Sequence, residues 1–155
     1  MSYDLVVFES GAAPEDRAEF LAWYTEAARL GDCILSSDPA TTSPHLRAWY
    51  RNMIEQFPPI DGPDAVWIGD RDNQCVADYR FTPVAVFVAF QWEASRHAHR
   101  QAIKLARNHR VGFFDASGED TAVWGMSSKG AYTILHRNTA KPADDDDRRQ
   151  KIMIP

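Results

Sequence analysis

The chain has 155 residues, 45% of them hydrophobic and 25% charged, and a formal net charge of −5. That profile excludes a disordered chain and fits one folded domain able to bury most of its apolar surface. The acidic excess argues against a nucleic-acid binder, whose affinity comes chiefly from cations that neutralise phosphates.

Tyr3 to Glu9 reads as a first strand, because Leu5-Val6-Val7-Phe8 is an almost continuous apolar run. Gly11 breaks it, and Pro14 suits the first turn of a helix that runs to about Leu30. Phe20, Leu21, Tyr24, Ala27 and Ala28 are expected on its inner face. Ser43-Pro44 is a strong helix start, with Ser as N-cap and Pro at the first helical position. Leu46, Tyr50, Met53, Ile54 and Phe57 then recur at helical spacing, and Pro58-Pro59 stops the run. Loops are expected at 36–42 and 60–73, the second rich in Pro, Gly and Asp.

Val76 to Phe81 is a short predicted strand, and Val84 to Trp92 is the strongest in the chain, dense in β-branched and aromatic residues. A helix follows from Ala94 to about His109, its inner stripe made of Ala94, Ala98, Ala102, Leu105 and Ala106. Such small residues allow a close approach to a sheet. Val111 to Asp115 is the next strand, closed by Ser117-Gly118. Ala122–Met126 and Ala131–Leu135 flank a polar turn and read as an added hairpin. The order β-α-α-β-β-α-β predicts an α+β domain of ferredoxin-like type: a split four-stranded sheet covered on one face by helices, with a C-terminal hairpin extension. The expected organisation is a single domain over 1–140 and a charged, solvated tail over 141–155.

Local catalytic motifs are absent: no G-x-S-x-G, G-x-x-x-x-G-K-[ST], H-E-x-x-H or G-x-G-x-x-G occurs. No catalytic residue, cofactor or metal is therefore expected. His97 and His99 stand about 200° apart on their helix, which does not suit a shared ion. His109 is expected to meet the helix dipole at the C-terminus. Cys33 and Cys75 have no CxxC spacing, and each reads as a small buried hydrophobe. The opening Met1–Leu5 lacks a basic segment followed by an apolar one, and no apolar stretch approaches membrane-spanning length, so a cytoplasmic location is expected.

The remaining signals concern binding. Arg96, Arg100, Lys104 and Arg107 form a basic outer stripe on the third helix. A solvated face is the ordinary meaning of such a stripe; contact with an acidic ligand or partner is the functional one. Trp23, Trp49 and Trp67 are candidate aromatic anchors, core packing being the competing role for each, and Asp70 and Asp72 in the 60–73 loop complete the candidate partner-binding set.

The segments MSYDLVVFES, APEDRAEFLAWY, DPATTSPHLRAWYRNMIEQFPP, VAVFVAFQW and VGFFDASG together resemble small bacterial cytosolic proteins, including immunity proteins of contact-dependent or type VI toxin systems. The resemblance spans residues 1–118 and carries no catalytic residue with it. It implies a protein that binds a cognate toxin and blocks its active site or substrate access. The competing expectation is a small enzyme or ligand-binding domain using a cleft between the sheet and loop 60–73, which predicts a deep apolar pocket with convergent polar groups.

Overall fold

The computed structural model describes residues 2–29, 35–65, 75–118 and 121–137. Within them one six-stranded antiparallel sheet is packed against three helices. The strands are β1 (Ser2–Phe8), β2 (Ala77–Thr82), β3 (Ala85–Gln91), β4 (Gly112–Asp115), β5 (Val123–Met126) and β6 (Tyr132–His136). The helices are α1 (Arg17–Arg29), α2 (Pro44–Met53) and α3 (Ser95–Asn108). Spatial order in the sheet is β2-β3-β1-β4-β5-β6, so β1 lies in the interior with β3 on one side and β4 on the other.

Several elements follow directly from local chemistry. Ser43 caps α2, its hydroxyl accepting from the Leu46 N–H at 3.4 Å, and Pro44 opens the helix where no N–H is needed. The helix ends at Met53, earlier than the periodicity suggests, and Phe57 enters the core from the turn beyond. The alanine stripe of α3 is buried as expected, and the Trp49 indole N–H donates to the Ala102 carbonyl at 3.1 Å. That bond needs close contact between α2 and α3, which only side chains as small as alanine permit. Deleting it would strand a buried donor, at a cost of about 1–3 kcal/mol.

The expectation of four strands covered on one face needs correction in two respects. The C-terminal hairpin is no appendage: β5 pairs with β4, and β6 with β5, so both extend the same sheet. Helices also cover both faces. Tyr3, Leu5 and Val7 point to the side of α2 and α3, whereas Val6 and Phe8 point to α1. The apolar run in β1 is continuous because a strand buried on both sides has no polar face to alternate with.

Helix α1 is held by fewer residues than its sequence implies. Phe20 is fully buried against Phe8 and Phe114, and Trp23 and Tyr24 are half-buried beside it. Leu21 is 36% exposed and Ala28 is exposed, so neither belongs to the inner face. The seam follows positions 20, 23 and 24, and Leu21 lies about 100° away from Phe20 around the helix. The helix C-terminus also departs from expectation at α3. His109 Nε2 lies 2.7 Å from Asn52 Nδ2, which can only donate, and burial lowers the imidazole pKa. His109 is thus a neutral acceptor bridging α2 and α3, with no charge to offer the helix dipole.

Candidate functional site

Three polar groups from distant parts of the chain meet at one end of α3. Tyr3 comes from β1, on the face that looks towards α2 and α3. His99 comes from the second turn of α3, and Asp115 is the last residue of β4. The Tyr3 hydroxyl donates to Asp115 Oδ2 at 2.9 Å. His99 Nδ1 lies 2.8 Å from the Tyr3 oxygen and 3.0 Å from the same carboxylate oxygen.

The proton count fixes the tautomer. Tyr3 has one proton and gives it to the carboxylate, so a neutral His99 holds its own proton on Nδ1 to complete the triangle. Its Nε2 is then left with a lone pair. Asp115 Oδ1 accepts from the Ser117 backbone N–H at 3.1 Å, and the Ser117 hydroxyl accepts from the Asp4 N–H at 2.9 Å. The carboxylate is therefore fixed by three donors, at the point where β4 turns. Burial, and then the adjacent Asp115 charge, push the Tyr3 hydroxyl far above its ordinary pKa, so it is a donor at neutral pH.

A groove of about 540 Å³ opens over this triangle. Trp92, Arg96, Arg100, Ile103 and Gly118 contribute to its walls. Trp92 precedes α3 and is 45% exposed, with its ring edge-on to Tyr3 at a centroid distance of 6.5 Å. Arg96 and Arg100 are exposed, and neither forms an ion pair among the described residues. With Asp115 balancing one of them, the groove keeps one net positive charge beside an aromatic plate and a lone-pair nitrogen. Such a surface suits an acidic group that also carries a hydrogen-bond donor.

The structure divides the residues expected from sequence. Arg96 and Arg100 come together at the groove, whereas Lys104 and Arg107 are exposed farther along α3 and do not line it. Trp49 is corrected from anchor to core: it is fully buried between α2 and α3. Trp23 is half-buried against Phe8 and Phe20, which makes it chiefly a support for α1. Trp67, Asp70 and Asp72 lie outside the described residues, as does much of the loop beside which a deep cleft was expected. The observed groove is open, and none of residues 60–65 lines it. His97 and His99 point to different partners, Gln56 and Asp115, and among the described residues no group of three metal-ligating side chains occurs.

Sequence reasoning missed Tyr3, Trp92, His99 and Asp115. One signal was available: Asp115 ends a buried apolar strand whose other members, Gly112, Phe113 and Phe114, have no polar side chain. No helix among the described residues is long and apolar enough to cross a membrane. Neither a family model, nor a curated protein, nor a solved structure matches the chain.

Proposed function

We propose that this protein acts by binding, as an immunity-type inhibitor of a bacterial toxin in the cytoplasm, and that it presents the Trp92–Arg96–Arg100 face to that partner. The observation that supports this reading is the exposed Trp92 beside two cations that have no ion-pair partner among the described residues. Tryptophan and arginine are the residues most enriched where interfaces concentrate their energy. The Tyr3–His99–Asp115 triangle gives the face a rigid floor, so little ordering cost remains on association. An acidic loop of the toxin would lie between Arg96 and Arg100, and the toxin identity itself rests on the resemblance of residues 1–118.

Co-purification from the native bacterium tests the reading, combined with the double variant Trp92→Ala/Arg96→Ala. Loss of a co-purifying toxin, with at least about a tenfold drop in affinity, is expected, because two such side chains are worth more than about 1.4 kcal/mol together. Unchanged protection by the double variant, or absence of any toxin among the captured proteins, overturns it. A second reading is a ligand-binding domain, favoured by the convergence of Tyr3, His99 and Asp115 under one groove. Its ligand would be a small acid bearing a hydroxyl or amide donor for His99 Nε2.

A further inference from the structure

A second cleft, of about 550 Å³, lies on the other face of the sheet between the β1–α1 connection and the β5–β6 hairpin. Its size falls within the roughly 300–1,000 Å³ of small-molecule sites. Phe8, Phe20 and Val123 form an apolar floor, and Leu135 continues it along β6. We propose that this cleft binds a small uncharged carbonyl compound with an apolar body about the size of one aromatic ring. The proposal is independent of the toxin reading and of the groove over His99.

His136 carries the argument. Arg17 Nη1 lies 3.2 Å from His136 Nδ1, and the same guanidinium donates to the Thr121 carbonyl and hydroxyl, each at 2.8 Å. A guanidinium has only donors, so His136 Nδ1 must hold a lone pair and Nε2 must carry the proton. The ring is fixed edge-on against Phe20 at 5.2 Å. Its Nε2–H has no hydrogen-bond partner among the described residues, and the residue lines the cleft. A directed donor above an apolar floor calls for an acceptor joined to an apolar body.

Charge then selects among acceptors. Glu15 lies in the cleft lining and Asp16 beside it, while the Arg17 guanidinium is already engaged by Thr121 and His136. An incoming carboxylate meets these acids, and an ammonium group offers His136 no lone pair. A neutral amide or ketone satisfies both conditions.

Titration of the full chain with benzamide, benzoate and benzylamine, followed by amide proton–nitrogen correlation spectra, tests the proposal. Benzamide should shift the amides of Gly125, Thr133 and His136, and the two charged analogues should bind at least about fivefold more weakly, one hydrogen bond being worth about that factor. His136→Phe keeps a ring against Phe20 and removes the donor; it should weaken benzamide about fivefold. Thr133→Trp, on the exposed side of β6, should fill the cleft and abolish binding. Equal binding of the three probes, no shift at these amides at millimolar benzamide, or benzamide binding unaltered by Thr133→Trp overturns the proposal. If His136→Phe does not fold, the probe ranking and Thr133→Trp still decide it.

Discussion

His99 and His136 stand on opposite faces of the sheet, each fixed through Nδ1, yet they offer their clefts opposite chemistry. His99 is held by an anion, Asp115, and therefore presents a lone pair at Nε2. His136 is held by a cation, Arg17, and therefore presents a proton. The imidazole is the same in both, so the partner behind the ring decides what stands in front of it. The tautomer is set by the group hydrogen-bonded to the far side of the ring, which no residue count reveals.

The comparison breaks most visibly at Phe20. This ring is fully buried, touches both Phe114 and His136, and is the only fully buried member of α1. Phe20→Ala should cost about 3–5 kcal/mol in denaturant unfolding. Under mild conditions its effect should concentrate on the His136 face, with the His99 triangle still visible in nitrogen-15 imidazole spectra. Simultaneous loss of both would mean that the two faces are one cooperative unit.

A smaller effect is expected at Asp115. Asp115→Asn should cost about 1–3 kcal/mol, because Tyr3 and His99 lose a shared charged acceptor. Imidazole spectra at alkaline pH should show His99 protonated on Nδ1 and His136 on Nε2 in the parent chain. In the variant the His99 assignment should become mixed while that of His136 is unchanged. The same tautomer at both sites in the parent would remove the distinction altogether.

The smallest expected effect is acid sensitivity. Burial lowers the pKa of both His109 and His136 below the ordinary 6.5, aided by His45 for the first and Arg17 for the second, and opposed at the second by Asp16. The unfolded chain then binds protons that the fold excludes, so stability is complete above pH 6.5 and declines as pH falls through the lowered values. Urea midpoints at pH 7.5 and 5.5, compared between the parent and His136→Asn, should show a shallower decline in the variant. An equal decline assigns the effect to other groups.

Much of the fold was legible because its signals are local. Ser43-Pro44, the alanines of α3 and the apolar run of β3 each state their element within a few residues. The faces were harder. Leu5-Val6-Val7-Phe8 already implied burial on both sides, yet only the structure shows that Val6 and Phe8 face α1 and Leu5 and Val7 face the other two helices. The groove was only half readable. Arg96 and Arg100 declare themselves by helical spacing, but Tyr3, His99 and Asp115 meet only through pairings that place β1 beside β4 and α3 above it. A triangle assembled from distant strands leaves no motif.

The position of β1 has a consequence for how the molecule forms. Val6 is opposite Phe87 on one side and Phe114 on the other, so the strand waits through the synthesis of three helices and two more strands before its second neighbour exists. Closure of such distant pairings costs loop entropy before contacts reward it, and folding is expected on the millisecond-to-second scale of non-local β topologies. Until β3 has been made Leu5 to Phe8 is an apolar ribbon with both edges open, and one edge stays open until β4 follows, which leaves the nascent chain vulnerable to self-association over that interval.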